Sequence, residues 1–418
     1  MRSLPLGGSW RHGDFRRLWA GQTISQFGSQ VTLLALPLVA AVLLEASPFE
    51  MGLLAALEMA PFLLVGLPAG VWVDRWPRRP VLIVGDVGRA LVLASVPLAY
   101  VLGRLSLPQL YLVAFVSGTL TVFFDVAYMS YLPSLMTRDR LVEGNSKLET
   151  TRAAAQIGGP GLAGVLIQAF SAPVAIAADA VSFVISAAFC LAISSKEKLP
   201  SREAMGKRVG MGTEIGDGLS FVLSHPLLRA IATTTALANL SASAIMALYV
   251  LFAVRELGLE AGMLGLIFGL ANFGFLVGAL LAEQTARRVG VGPTIVASSL
   301  LSALGLLLVP LAARSNAIAV LIASGLIASL AVPIYNINQV SLRQAICPQR
   351  LQGRMNATMR FLVWGTMPLG SLLGGMLGEA LGLRAALAVV ALLGLSCFLP
   401  VLFSPVHSLQ QQPEPLPD

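Results

Sequence analysis

The chain has 418 residues, of which 56% are hydrophobic and only 12% are charged. Soluble domains carry a charge on roughly a quarter of their residues, so this composition excludes a soluble globular protein and indicates an integral membrane protein. The net charge of +7 does not indicate nucleic-acid binding, because the basic residues occur in small groups between apolar runs, as they do at the ends of membrane spans.

Apolar runs of about 20 residues, the length at which a helix crosses a bilayer, recur along the whole chain. We find twelve such runs: 18–44, 51–73, 81–103, 108–132, 148–169, 173–193, 227–252, 263–286, 293–313, 317–339, 356–378 and 383–404. The sequence therefore predicts an all-α membrane protein with twelve transmembrane helices.

The distribution of arginine and lysine gives the orientation of these spans. If the chain begins inside, 24 of the 28 basic residues lie on the cytoplasmic side, and the external side holds only Arg104, Arg255, Arg314 and Arg384. Cytoplasmic loops carry the excess of basic residues in membrane proteins. We therefore expect both termini to be cytoplasmic. The first span follows a polar segment and is too long for a signal peptide, so we expect it to be retained.

The two sets of six spans resemble copies of each other at an offset of 208 residues. The matching pairs are Gly66 and Gly274, Gly70 and Gly278, Arg152 and Arg360, and Pro160 and Pro368. This repeat predicts two pseudo-symmetric six-helix bundles, residues 1–193 and 227–404, enclosing one site at their interface. We expect a cytoplasmic linker at 194–226 and a disordered tail at 405–418. Residues 213–223 of the linker could form a short helix along the membrane surface, and the alternative is a simple tether.

The turn after the second span carries an acid followed by three arginines, in the pattern Gly70-x-x-x-Asp74-Arg75-x-x-Arg78-Arg79. This pattern, in this position, resembles the signature of the major facilitator superfamily, with Pro77 where that signature usually has glycine. The resemblance covers all but the tail and implies that these five residues latch the cytoplasmic side of two halves. The alternative is that the arginines only anchor the topology.

Three further stretches, 132–146, 177–186 and 337–370, are similar to the bacterial exporter branch that contains macrolide efflux proteins and the enterobactin exporter. The likeness implies outward transport driven by the proton gradient across the bacterial cytoplasmic membrane. The segment 157–164 resembles the fifth-helix signature of the superfamily's antiporters through Gly159, Pro160 and Gly164. The alternative for these three residues is close helix packing with a proline kink.

Carboxyl groups inside the bilayer are costly unless they are paired, hydrated or protonated, so they are functional candidates. Glu58 and Asp125 are the deepest acids of the predicted spans, and we assign them to proton coupling. A structural ion pair is the alternative for Asp125. Asp86 and Arg89 are three residues apart on one helix face and are expected to neutralise each other. Asp179 is interpreted as structural.

In the superfamily that this chain resembles, helices 1, 4, 7 and 10 line the central cavity. Polar residues of the predicted spans 1, 7 and 10 are therefore assigned to a substrate cavity: Gln22, Gln26, Gln30, Asn239, Tyr335 and Asn336. Hydrogen bonds between helices are the alternative role. A cavity with few charges favours a bulky amphipathic solute over a sugar phosphate.

These observations predict a proton-coupled exporter, an antiporter of hydrophobic or amphipathic small molecules such as drugs or macrolides, working by alternating access. Multidrug efflux of this kind would confer antibiotic resistance. A dedicated exporter of a siderophore or another natural product is the alternative, ahead of a channel or a membrane enzyme. No nucleotide-binding, hydrolase or metal-ligand motif occurs, so we expect no enzyme activity, no cofactor and no metal. The expected partners are the solute, protons and the lipid bilayer, and we expect a monomer.

Overall fold

A computed structural model describes residues 12–73, 75–136, 140–195, 211–348 and 351–411. Within these ranges, eleven helices are long and apolar enough to cross a membrane. The remaining predicted span, 51–73, is also helical but is bent into two shorter helices. Helices satisfy every backbone polar group internally, which is why apolar runs of this length adopt them in lipid. The predicted fold class, all-α with twelve spans in two six-helix bundles, is confirmed.

The first six spans comprise seven helices. They are α1 (Gly13–Leu38), which continues into a π-helical turn (Val39–Leu43), α2 (Pro48–Leu64), α3 (Gly66–Val73), α4 (Arg78–Val101), α5 (Leu107–Leu135), α6 (Leu141–Phe170) and α7 (Ala172–Leu191).

The second half begins with a short helix that the sequence predicted within the linker. The helices are α8 (Met211–Ser224), α9 (Pro226–Arg255), α10 (Ala261–Val289), α11 (Val291–Leu307), α12 (Ala317–Ile346), α13 (Gln352–Trp364), α14 (Thr366–Leu381), α15 (Leu383–Leu395) and α16 (Leu399–Leu402).

Proline explains why the spans 51–73 and 356–378 are each divided into two helices. A proline inside a helix has no N–H for the carbonyl four residues earlier, and its ring clashes with that carbonyl. Pro68 lies four residues after Leu64, where α2 ends, and Pro368 lies four residues after Trp364, where α13 ends. Pro160, the predicted counterpart of Pro368, lies within the continuous α6. The matching spans of the two halves therefore differ in shape.

The chain divides into two compact units. One comprises Met1–Leu44 and Ala60–Gly206, and the other comprises Glu45–Met59 and Lys207–Asp418. The first part of α2 thus belongs to the second unit. There it crosses α14 at two glycines: a Cβ atom added to Gly52 would lie 2.7 Å from the Cα atom of Gly375. Only glycine permits this approach of the two backbones.

In the first unit, α1 packs on α6 and α7, and α4 packs on α5 and α7. One of its hydrophobic clusters includes the buried side chains of Phe15, Leu82, Phe124 and Tyr131. In the second unit, α9 packs on α14 and α15, while α12 packs on α10 and α11. Dispersion contacts between close-packed helices, rather than exclusion from water, stabilise such bundles within lipid.

The repeated glycines have different surroundings in the two halves. Gly274 and Gly278 of α10 face the backbone of α12 so closely that an added Cβ atom would overlap it. Gly66 and Gly70 of α3 have open space on the corresponding side. The repeat in sequence is therefore not a repeat in packing at these positions.

The expectation of a disordered tail from residue 405 is wrong for its first part. Residues Pro405–Ser408 form a helical turn whose Val406 side chain is fully buried. The Gly292 N–H donates a hydrogen bond to the Leu409 carbonyl at 2.8 Å, which joins this segment to the start of α11. Two interactions stabilise this segment despite its polar composition: burial of the Val406 side chain, and hydrogen bonding to N–H groups at the start of α11 that have no partner within the helix. Residues 412–418 lie outside the described part of the chain.

The three cysteines, Cys190, Cys347 and Cys397, are free thiols, and all three are buried. Cys190 and Cys397 lie within the apolar spans, and Cys347 follows the last residue of α12.

Candidate functional site

The arginine-rich turn is attached to helices of its own unit. Arg79 donates hydrogen bonds to the carbonyl oxygens of Cys190 and Leu191, at 3.1 and 2.6 Å, and so caps the end of α7. Trp72 and Trp76 both stack on Phe123 of α5, and their ring centroids lie 5.9 and 6.3 Å from the Phe123 centroid.

The other predicted latch residues have varied environments. Arg75 is exposed, Arg78 is half-buried, and Gly70 has open space beside it. Asp74, the acid of the predicted latch, lies outside the described residues. Its role as a latch stays a prediction.

A buried ion pair lies within α4 of the first unit. Arg89 donates a hydrogen bond to Asp86 at 2.6 Å, and the exposed fractions of these two side chains are 8% and 0%. The guanidinium carbon of Arg89 lies 4.2 Å from the ring centroid of Phe124 and 4.1 Å from that of Phe183. The arginine is therefore held between two aromatic faces, an arrangement that favours a cation. The predicted pairing of Asp86 with Arg89 is confirmed.

A second buried acid, Asp179 of α7, lies beside this pair. One of its carboxyl oxygens accepts a hydrogen bond from Ser182 at 3.0 Å, and the other accepts one from Thr32 of α1. Arg89 and Asp86 both act on Asp179 electrostatically. The backbone of α1 approaches closely at Gly28, where an added Cβ atom would overlap Ser182 and Asp179. The sequence alone did not connect Asp179 to the Asp86 and Arg89 pair, because the three residues lie on two helices distant in sequence.

The residues of the antiporter-type signature lie where α6 meets α1. Gly159, Pro160 and Gly164 are buried, and a Cβ atom added to Gly159 would lie 2.5 Å from the Cβ atom of Gln30. Gln30 therefore packs against the glycine of the signature. Of the other two glutamines on this helix, Gln22 is buried and Gln26 is half-buried.

The second unit contains a cavity of about 100 Å³ between α9, α11, α12 and α15. Its wall brings together Asn239, Tyr335 and Asn336, the three residues of this unit that the sequence assigned to a substrate cavity. Sequence reasoning missed the hydroxyl groups that complete the wall, from Thr235, Ser241, Ser299 and Ser302. Serine and threonine at helical spacing within the apolar runs were the signal that could have found them.

Two hydrogen bonds fix the polar side chains of this wall. The hydroxyl groups of Thr235 and Tyr335 lie 2.7 Å apart. Asn239 donates a hydrogen bond at 3.1 Å to the carbonyl of Val363, beside the bend between α13 and α14. Every residue lining the cavity is uncharged, and aliphatic side chains complete it. The cavity therefore suits a neutral or apolar group.

The two predicted proton carriers have different surroundings. Asp125 of α5 is exposed on the protein surface. Glu58 of α2 is half-buried, and its side chain makes no ion pair or hydrogen bond with any residue that the structure describes. Arg152, which the sequence suggested as a partner of Asp125 or an adjacent acid, lies 3.6 Å from Glu149. The structure does not bring Glu58 and Asp125 together in one unit.

Comparison with known proteins places the chain among membrane transporters. The family model described as "Transmembrane secretion effector" matches residues 8–415. The multidrug efflux pump Tap of Mycobacterium tuberculosis (strain ATCC 25618 / H37Rv) is 30% identical over 380 residues, covering 87% of each chain. Tap of Mycolicibacterium fortuitum is 28% identical over 381 residues, covering 87% of this chain and 89% of that protein. An uncharacterised transporter of Bacillus subtilis (strain 168), YfiS, is 29% identical over 211 residues, about half of either protein.

Solved structures share the fold at lower sequence identity. The nucleoside transporter NupG has a TM-score of 0.75 at 11% identity, with 93% of this chain and 98% of that chain covered. A bacterial homologue of the iron transporter ferroportin has a TM-score of 0.73 at 18% identity, with the same coverage. The chain is a multi-pass membrane transporter of small molecules. It belongs to the transmembrane secretion effector family of the major facilitator superfamily.

Proposed function

We propose that this transporter exports hydrophobic or amphipathic small molecules, such as drugs or macrolides, in exchange for protons across the bacterial cytoplasmic membrane. The observation that carries the proposal is the likeness to the multidrug efflux pump Tap, at 30% identity over 87% of the chain. The uncharged wall of the cavity in the second unit supports it, because a site without fixed charges tolerates solutes of varied structure.

The size of the cavity indicates how much of a solute it would hold. Pockets for drug-sized ligands measure roughly 300–1,000 Å³, whereas this cavity measures about 100 Å³. It would therefore hold one ring or one short alkyl group of a larger molecule. Asn239, Tyr335 and Asn336 would contact that group. The assignment of Gln22, Gln26 and Gln30 of α1 to substrate binding stays a prediction.

Proton exchange is assigned to acids within the spans. Glu58 supports this assignment best, because no basic side chain among the described residues neutralises it. Asp125 is the second candidate. The residues Gly70, Asp74, Arg75, Arg78 and Arg79 would act as the latch that breaks during transport, and Gly159, Pro160 and Gly164 would allow α6 to move against α1.

The test uses inverted membrane vesicles from cells that express the protein, with a radiolabelled macrolide and the dye ethidium as probes. We expect accumulation above that in vesicles that lack the protein only when a pH gradient, acid inside, is imposed. Accumulation of equal size without a gradient would contradict antiport. Antiport by Glu58→Gln and Asp125→Asn variants at the native rate would contradict the assignment of these two acids.

Asp74→Asn tests the latch in the same vesicles. We expect this substitution to slow transport, with Glu283→Gln, an exposed acid paired with Arg287 near the end of α10, as the matched control.

A further inference from the structure

The buried cluster of Asp86, Arg89 and Asp179 has more acidic than basic groups. Counted over the whole residue, Asp86 is fully buried, Arg89 is 6% exposed and Asp179 is 1% exposed. Arg89 makes its ion pair with Asp86. Asp179 has only the hydroxyl groups of Thr32 and Ser182 as hydrogen-bond partners in the described structure. With both carboxyl groups ionised, the cluster would carry one uncompensated negative charge.

Among the residues that the structure describes, the helices packed on α7 supply no further cation to the cluster. Arg89 and Asp86 of α4 are the charged groups that act on Asp179. On α1, Thr32 faces it, and on α6 the charged side chains pair with one another, Lys147 with Glu143 at 2.7 Å and Arg152 with Glu149 at 3.6 Å. The aromatic rings of Phe124 and Phe183 enclose Arg89.

The depth of the cluster makes an unpaired charge costly. Asp179 is buried seven residues after the first residue of α7 and twelve before the last, about 10 Å and 18 Å along the helix at 1.5 Å per residue. An isolated carboxylate buried within a span is strongly disfavoured, and such a group takes up a proton instead.

The two hydroxyl partners suit both protonation states of Asp179. A hydroxyl group donates one hydrogen bond and accepts two. Thr32 and Ser182 can therefore donate to the carboxylate, and either oxygen can accept a hydrogen bond from the protonated acid. The site keeps its hydrogen bonds when the proton enters or leaves, and the departing proton goes to water.

We propose that Asp179 binds an exchangeable proton, so that the first unit contains a proton site made of Asp179, Thr32 and Ser182 beside the Asp86 and Arg89 pair. The role of this proton in transport rests on the proposed antiport function. The existence of the site does not depend on that function, because proton binding by Asp179 is measured without any transport.

The test is infrared difference spectroscopy of the purified transporter in lipid nanodiscs while the pH is stepped. A protonated carboxyl group in an apolar site gives a carbonyl stretching band distinct from that of a carboxylate. We expect a band that titrates with pH in the native protein, in the Glu283→Gln control and in Glu58→Gln, and we expect the component due to Asp179 to be missing in Asp179→Asn. An Asp179→Asn spectrum identical to the native one at every pH, or the absence of any such band, would overturn the proposal. So would a band that is present at every pH without titrating.

A second variant covers the case in which Asp179→Asn does not fold. Thr32→Val keeps the shape of the side chain and removes one hydrogen-bond partner of the acid. We expect the band to shift in frequency in this variant, and an unshifted band would contradict the site.

Transport measurements separate this inference from the proposed function. A titrating Asp179 band in a protein that shows no transport driven by a pH gradient would refute antiport and keep the site. Native proton-driven transport in a folded Asp179→Asn variant would refute the role of the site in coupling and keep antiport.

Discussion

Arg89 donates a hydrogen bond at 2.6 Å to Asp86, three residues earlier on the same helix, and has Asp179 of α7 within its electrostatic reach. The two members of the pair are therefore not equivalent. Loss of Arg89 leaves two buried acids without a cation, whereas loss of the Asp86 charge leaves an arginine that still has Asp179 nearby.

The first prediction is that Arg89→Met destabilises the protein more than Asp86→Asn. Breaking a buried ion pair by removing one partner costs about 3–5 kcal/mol when the remaining charge is uncompensated. We expect Arg89→Met to approach that range and Asp86→Asn to cost less, measured as unfolding in denaturant or by heat in detergent. A variant Asp86→Asn that is as unstable as Arg89→Met would show that Arg89 and Asp179 are not coupled.

The second prediction concerns the crossing of α2 and α14. A Cβ atom at Gly375 would lie 2.9 Å from the Cα atom of Gly52 and 3.0 Å from the Pro48 carbonyl oxygen, neither of which can move aside as a side chain would. We expect Gly375→Ala and Gly52→Ala to lower the unfolding temperature by separating the two helices.

Gly161 of α6 provides the matched control, because nothing lies within 4 Å of a Cβ atom added there. Alanine is favoured over glycine inside a helix by about 1 kcal/mol, so Gly161→Ala is expected to stabilise the protein slightly. If all three variants behaved alike, the close approach of α2 and α14 would be in doubt.

The third prediction is that Arg79 stabilises the end of α7. Its guanidinium group donates to two carbonyl oxygens in the last turn of α7, those of Cys190 and Leu191, and the Cys190 oxygen also accepts a hydrogen bond from the Ile193 N–H. We expect Arg79→Gln to cost about 1 kcal/mol, a typical value for a cation at a helix C-terminus, and to speed hydrogen exchange in the last turn of α7. Arg75, whose side chain is exposed, is the comparison, and we expect Arg75→Gln to leave that turn unchanged. Equal exchange in both variants would argue against the cap.

The fourth prediction concerns the cavity of the second unit. Tyr335→Phe removes the hydroxyl group that lies 2.7 Å from Thr235 and makes the wall less polar without changing its shape. If a solute group that hydrogen-bonds enters this cavity, we expect ethidium or macrolide binding to weaken by roughly tenfold, the equivalent of one hydrogen bond to a buried partner. Equilibrium binding to the purified protein gives the measurement.

Tyr100→Phe is the control for this substitution, because Tyr100 is exposed near the end of α4 in the other unit. Unchanged affinity in Tyr335→Phe for every probe would remove this residue from the proposed substrate cavity.

The lengths of the hydrophobic runs predicted the fold because the thickness of the bilayer sets the length of each transmembrane helix. The limits of the twelve apolar runs agree with the helices, although α6 and α12 extend about seven residues further at their polar ends. At the start of α6, the ion pair of Glu143 and Lys147, four residues apart, stabilises the part of the helix that precedes the apolar run. The sequence could not distinguish a proline that ends a helix, such as Pro368, from one that a helix tolerates, such as Pro160. That difference depends on neighbours: Asn239 and Thr366 hydrogen-bond the carbonyl of Val363 beside the bend.

The candidate site was predictable only where residues are close along one helix. The pair of Asp86 and Arg89 follows from a spacing of three residues. The placement of Asp179 beside it requires α4 and α7 to pack, and the glycine of α1 that makes room, Gly28, has no distinguishing sequence pattern among 40 glycines. The cavity wall likewise combines four helices, so its hydroxyl groups were not recognisable from any one run.

The buried thiols make the native protein a suitable background for site-specific probes. Cys190, Cys347 and Cys397 are all shielded, and burial raises the pKa of the Cys347 thiol, which lowers its reactive thiolate fraction at neutral pH. A cysteine introduced at an exposed position, for instance in place of Gln284, should therefore take up a maleimide spin label or fluorophore selectively. Distances between two such labels would report movements of the transporter without first replacing its own cysteines.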